Sequence, residues 1–244
     1  MEETLRKLNE LKLHGMSKSF QERIIRPDHR DLSFEELLGL LVDDEYIYRK
    51  NLKQRRLMQM AKLKFPSACL EDVDYHPSRC LVKSKVIGLQ NLEWLKNHQN
   101  ILITGSTGVG KSYLACAFGQ WACRNGKTVF YSRWSRLLGD ILASKGQGNY
   151  LKHLDRLAKV DLLIIDDFGI SSINDTERKD FLEIIEDRYT KGSTIMTSQL
   201  PPKEWHTYIG DPTIADAVCD RLFHVSHKFE VKGPSMRKKL KEVD

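Results

Sequence analysis

The chain has 244 residues, 30% of them charged, a net charge of +6, a pI of about 9.0 and a mean hydropathy of −0.45. That is a water-soluble globular chain with room for one large core or two unequal domains. No apolar run approaches the roughly 18–20 residues of a membrane span, so no membrane association is expected.

The excess of base suits an anionic partner such as nucleic acid, or a basic surface that is merely solvated. The opening residues Met1-Glu2-Glu3-Thr4-Leu5-Arg6-Lys7 are mixed in charge and lack an apolar signal core, so a cytoplasmic location is expected. Cys69, Cys80, Cys116, Cys123 and Cys219 form no C-x-x-C pair, which argues against a zinc or disulfide framework. Cys116 and Cys123 read as small buried hydrophobes on one helix.

Residues 1–65 are predicted to be an all-helical domain. Leu5, Leu8 and Leu11 recur at helical spacing, and Gly15 can close that helix. A second helix is expected over Ser17–Ile25, stopped by Pro27. Ser33-Phe34-Glu35-Glu36 reads as a capping box, with Leu32 and Leu37 as its hydrophobic staple, opening a helix that reaches about Lys64. That helix is acidic early (Glu35, Glu36, Asp43, Asp44, Glu45) and basic late (Arg49, Lys50, Lys53, Arg55, Arg56, Lys62, Lys64). The order suits the helix dipole, and the basic half equally suits a DNA-phosphate contact surface. A boundary falls at Phe65-Pro66-Ser67, where proline stops a helix.

Residues 66–244 alternate strand and helix, the mark of an α/β domain with a mainly parallel sheet. Strands are predicted at Ile101–Thr104, Thr128–Ser132, Leu162–Asp166, Thr194–Ser198 and, more weakly, Val225–Val231. Helices are predicted at Lys111–Asn125 closed by Gly126, Trp134–Ser144, Tyr150–Lys159, Thr176–Lys191 closed by Gly192, and Thr213–Leu222.

Gly105-Ser106-Thr107-Gly108-Val109-Gly110-Lys111-Ser112 fits the phosphate-loop pattern G-x-x-x-x-G-K-[ST]. It lies between a predicted strand and a helix that continues through Tyr113, so Gly105 to Tyr113 is the expected nucleotide-binding run. Glycines let backbone N–H groups turn toward phosphate, and the helix dipole adds partial positive charge. Lys111 would reach the β- and γ-phosphates, and Ser112 would hold Mg²⁺.

Leu162-Leu163-Ile164-Ile165-Asp166-Asp167 is an apolar strand ending in two carboxylates. Nucleotides bind at the carboxyl ends of parallel strands, where these acids fall. Asp166 is the expected Mg²⁺ partner beside Ser112, and Asp167 is placed to orient or deprotonate a water. A third strand ends in Thr197-Ser198-Gln199, whose polar tip can sense the γ-phosphate or hold the water through Ser198 or Gln199. Arg221, late in a helix, either neutralises charge on a neighbouring subunit's nucleotide or pairs with Asp220 or another acid. Arg237, after Gly233-Pro234-Ser235-Met236, either touches the nucleotide or belongs to a basic tail.

The order of Gly105–Ser112, Leu162–Asp167, Thr197–Gln199, Arg221 and Arg237 resembles the AAA+ ATPases, and more closely the IstB branch, the ATP-dependent helpers of insertion-sequence transposition, related to DnaC-type helicase loaders. Leu11-Lys12-Leu13-His14-Gly15-Met16 and Leu32–Leu38 are similar to that branch's helical N-domain. The resemblance implies a P-loop AAA+ module with sheet order 5-1-4-3-2 and a minimal C-terminal lid. It implies ATP and Mg²⁺ as cofactors and ATPase activity. Lys111, Asp167, Gln199 and Arg221, the last as a finger in trans, would be the catalytic set, with Ser198–Gln199 as sensor 1 and Arg237 as sensor 2. The implied partners are duplex DNA bound without sequence preference, further copies of the chain in a ring or spiral, and a cognate transposase. Where most AAA+ proteins end the acidic motif in Asp-Glu, this chain has Asp167, and its sensor is Gln rather than Asn. A helicase loader, a monomeric small-molecule kinase and a nucleotide-gated scaffold with negligible turnover are the alternative readings.

Overall fold

The computed structural model describes residues 1–25 and 32–236. Pro27 therefore lies outside the described residues. The chain divides into two compact units, Met1–Arg56 and Leu57 onward.

The first unit is helical: α1 Glu2–Glu10, α2 His14–Ile25 and the greater part of α3 Phe34–Ala61. Gly15 does not close α1. Lys12 does so, at φ 58°, with Leu13 N donating to Leu8 O and Lys12 N to Asn9 O at 2.8 and 2.9 Å. Gly15 instead lies inside α2, where a Cβ would stand 2.7–2.8 Å from Tyr48 and the α3 backbone at Asp44 and Glu45. The missing side chain lets the two helices approach.

The acids of α3 serve this contact. Asp44 accepts from Ser19 at 2.5 Å and from Arg23 at 2.9 Å, which holds its carboxyl below the usual carboxylate range. Glu45 accepts from Met16 N at 3.0 Å and from Arg49 at 2.6 Å. The capping box forms as expected: Glu36 N donates to Ser33 Oγ and Ser33 N to Glu36 Oε2. α3 stops at Ala61, short of Lys64, because Lys62 turns to φ 52°.

The second unit is built on a five-stranded parallel sheet in the order β2-β3-β4-β1-β5. Its strands are β1 Asn100–Thr104, β2 Val129–Arg133, β3 Leu162–Phe168, β4 Ser193–Ser198 and β5 Ser226–Glu230. Read from the other edge this is 5-1-4-3-2, as expected. Successive strand residues alternate between two cores. Ile101, Ile103, Leu162, Ile164, Ile195 and Phe229 join one, with α6 Lys111–Arg124 and the short α4 Lys83–Gly88 and α5 Glu93–Lys96. Leu102, Leu163, Ile165, Phe168 and Met196 join the other, with α7 Trp134–Gly146, α8 Tyr150–Lys159, α9 Asp175–Arg188, α10 Trp205–Ile209 and α11 Pro212–Phe223. The helices α4, α5 and α10 are six residues or fewer, too short to show a periodic pattern. Cys116 and Cys123 are fully buried, and burial pushes their thiols up to about 11 and about 12.

Gly126 closes α6 at φ 77°, as expected. Gly192 does not play that part for α9. Thr190 takes the left-handed turn at φ 63°, and Gly192 is small because Arg188 Nη2 would lie 2.7 Å from its Cβ. Arg188 is only 2% exposed and donates to Leu157 O, Val160 O, Ser193 O and Thr194 Oγ1. Burial lowers its guanidinium to about 10. It ties α8, β4 and α9 together at the amino end of the sheet. Arg188→Ala should cost about 3 kcal/mol or more in chemical denaturation, since several buried carbonyls lose their donor. An unchanged unfolding midpoint would contradict that role.

Candidate functional site

The site is assembled where β1, β3 and β4 end. Thr104 pairs with Ser198, Asp166 pairs with Arg133 of β2, and the regular β3–β4 register ends at Ile165. Beyond Thr104 the chain enters the glycine loop with Gly105 at φ 146°, Gly108 at φ 84° and Gly110 at φ 94°. These three positions require glycine twice over, by conformation and by space. A Cβ on Gly105 would strike Val231 O, one on Gly108 the Ser235 side chain, and one on Gly110 would meet Arg79 Nη2 at 2.8 Å. Gly110 caps α6 in the left-handed conformation, so the loop empties into a helix N-terminus with its unsatisfied N–H groups. Lys111, the first helical residue, is buried, and its Nζ donates back to Ser106 O at 2.9 Å.

Asp166 is the hub beneath this loop and is fully buried. Ser112 donates to its Oδ1 at 2.8 Å and Thr197 to the same oxygen at 2.5 Å. Tyr131 donates to Oδ2 at 2.7 Å, and Lys64 Nζ lies 3.5 Å from Oδ2. Burial and the adjacent carboxylate push the Tyr131 phenol well up, which keeps it a donor. Asp167 follows at φ 63°, where the β3–β4 register shifts between Ile165 and Phe168. This bulge re-aims the side chain, and Asp tolerates the left-handed region better than most residues. Asp167 N donates to Thr197 Oγ1 at 3.0 Å. One hydroxyl thus links both carboxylate-bearing residues.

The pairing of Ser112 with Asp166 brings together a hydroxyl and a carboxylate, hard oxygen donors of the kind Mg²⁺ takes. Together with a glycine cradle in which a Cβ would not fit, these residues suit a nucleoside phosphate and Mg²⁺.

Several supports of the loop carry no motif in the sequence. Arg79, 6% exposed, donates from Nη2 to Val109 O at 2.7 Å and from Nη1 to Asp74 O at 3.0 Å. Lys232 N donates to Arg79 O, and Met236 N donates to Gly108 O at 2.9 Å. Tyr131 could be read only as the alternate-face residue of a strand, and Lys64 only as one base in a run.

The remaining expected residues are dispersed. Ser198 Oγ is engaged with Phe168 O at 2.7 Å and Leu200 N at 3.0 Å, while Gln199 is exposed just past β4. Arg221 pairs with Glu186 at 2.6 Å, donates to Ala217 O and lies over the Tyr189 ring. Its carbonyl accepts from Asn100 at the start of β1, at the opposite end of that strand from the loop. Arg237 lies outside the described residues, directly after Met236.

The sheet order, the glycine loop on β1 and the acidic end of β3 together define a P-loop module of the AAA+ class. Solved structures agree on the fold. The DnaC helicase loader superposes with a TM-score of 0.58 at 18% identity, over 68% of this chain and 97% of that one. AMPPCP-bound DnaA from Aquifex aeolicus superposes with a TM-score of 0.60 at 22% identity, over 75% of this chain and 57% of that one. The family model for IstB-like ATP binding proteins matches residues 6–243, and the chain belongs to that family. Two similar relatives are named as ATP-binding proteins of insertion sequences. One, from Sinorhizobium fredii, is 44% identical over 96% of both chains. The other, from Pseudomonas fluorescens, is 44% identical over 81% of this chain and 86% of its own.

Thr197→Val should destabilise the protein by about 1–3 kcal/mol, because Asp166 loses a donor and Asp167 N an acceptor in a buried setting. Thr197→Ser should retain most of that stability. Equal unfolding midpoints for the valine variant and the parent would contradict the linking role.

Proposed function

We propose that this chain is an ATP-hydrolysing helper of insertion-sequence transposition, which assembles on DNA and there recruits or stimulates its transposase. The observation that carries the reading is the meeting of Ser112 and Asp166 at 2.8 Å beneath a glycine loop that ends in a helix N-terminus. In this reading the loop amides and Lys111 bind the triphosphate. Bound Mg²⁺, held by Ser112 and Asp166, would neutralise charge on the β- and γ-oxygens. Asp167 orients the attacking water and accepts its proton as the water oxygen bonds to the γ-phosphorus and the bond from that phosphorus to the β–γ bridging oxygen breaks, leaving ADP and inorganic phosphate. Gln199 holds or senses the same region from the tip of β4. Arg237 is proposed to touch the nucleotide, a role supported by Met236, the residue before it, whose N donates to Gly108 O.

Arg221 is proposed to act on a neighbour's nucleotide. Its carbonyl meets Asn100 at the end of β1 away from the loop, and β1 spans roughly 13 Å, which supports action on a neighbour's nucleotide rather than its own. The nucleotide then becomes part of an interface between copies in a ring or spiral. Arg221→Ala and Lys111→Ala should each lower turnover by on the order of 10³. Mixing the two inactive variants should restore measurable hydrolysis, since each supplies what the other lacks. A fully active Arg221→Ala protein, or no recovery on mixing, would refute action in trans.

DNA binding is proposed for the basic half of α3, where Lys50, Lys53, Arg55 and Arg56 are exposed. Arg49, grouped with them on sequence, is paired with Glu45. Changing the four exposed bases to Gln should weaken duplex binding and lower the slope of log affinity against log salt by up to about 3.6. An unchanged slope would move the contact to the exposed set Arg133, Arg136, Lys152 and Arg156.

A further inference from the structure

Asp166 is fully buried, and four side chains among the described residues are seen to meet its carboxylate. Three are hydroxyls, on Ser112, Thr197 and Tyr131. Hydroxyls donate hydrogen bonds but bring no net charge. The fourth is an ammonium, Lys64 Nζ, 3.5 Å from Oδ2.

Lys64 is not a loose surface lysine. Leu63 before it is buried, and its Cδ2 lies 3.0 Å from where a Gly119 Cβ would stand, so the residue next to Lys64 packs against α6. The Lys64 ammonium also lies 5.5 Å from the Phe65 ring, which in turn contacts Tyr113. Its side chain is only 23% exposed.

The four contacts divide by oxygen. Oδ1 takes Ser112 and Thr197, while Oδ2 takes Tyr131 and Lys64. A cation held by Ser112 and Asp166 would use Oδ1, the oxygen that Ser112 now meets. Lys64 and that cation therefore draw on one negative charge from opposite oxygens.

We propose that Lys64 is a resident countercharge, a positioning residue that balances Asp166 while nucleotide is absent. It lowers the site's affinity for free divalent metal, so that metal entry depends on the charge the triphosphate brings. This rests on reading the site as one for Mg²⁺ and nucleotide. Without the ammonium, a buried carboxylate is left short of positive charge and the fold weakens. The same carboxylate then attracts a divalent cation more strongly.

The test is a Mn²⁺ titration of the full chain by electron paramagnetic resonance, alone and with a non-hydrolysable ATP analogue. Mn²⁺ serves as a spectroscopic substitute for Mg²⁺ at an oxygen site. Lys64→Met should bind Mn²⁺ about tenfold more tightly than the parent. Its melting temperature should fall in the absence of nucleotide and recover on adding Mn²⁺ alone. Lys64→Arg, which keeps the charge, should stay close to the parent. A purely structural Lys64 would lower the melting temperature and leave Mn²⁺ affinity unchanged, and that result overturns the proposal. Lys64→Gln is measured in the same way if the methionine variant does not fold. A parent protein that takes up no Mn²⁺ with the analogue would defeat the nucleotide reading itself. A normal parent with an unaltered Lys64→Met would defeat the Lys64 proposal alone.

Discussion

A carboxylate enclosed in protein must be answered by donors or cations, and the second unit is arranged around that demand at Asp166. Ser112 comes from α6, Tyr131 from β2, Thr197 from β4 and Lys64 from the segment after α3. Four elements distant in sequence are brought to one group. The sheet order makes this possible: β3 lies between β2 and β4, so its carboxyl end has a neighbour on each side. The same order sets β4 between the loop strand and the acidic strand, and the Thr197 hydroxyl spans that gap.

The loop above Asp166 depends on a second constraint, that of space. Val231 O, Ser235 and Arg79 occupy the positions where side chains on Gly105, Gly108 and Gly110 would stand. The glycines are therefore fixed by the packing of the polypeptide around the loop as well as by its turns. Arg79 braces the loop from outside through its guanidinium on Val109 O, and Met236 through its main-chain N on Gly108 O. Any nucleotide bound here sits on a surface whose shape is already set.

Much of this was legible in the sequence, and for identifiable reasons. The phosphate loop, the apolar run ending in Asp166-Asp167 and the five strands each carry a local pattern that their chemistry demands, and the family resemblance rested on the same residues. Gly15 and Gly192 read as helix terminators in the sequence because a glycine needed for close approach looks there like one needed for a left-handed turn. Lys12 and Thr190 took those turns instead. Lys64, Arg79 and Tyr131 were not legible as site residues. Their roles come from contacts 30 or more positions away along the chain, which no local pattern records. Arg221 could be placed on a helix but not at an end of the sheet, and its partner Glu186 belongs to a separate helix.

The central claim is that Lys111, Ser112 and Asp166 hold a magnesium–triphosphate pair. Isothermal calorimetry of the purified chain with ATP, in the presence and absence of Mg²⁺, addresses it most directly. The account predicts saturable binding at one site per chain, tightened by Mg²⁺ in the parent and no longer tightened in Asp166→Asn. Absence of heat with ATP and Mg²⁺, or an Asp166→Asn protein with an unaltered response to Mg²⁺, would contradict it.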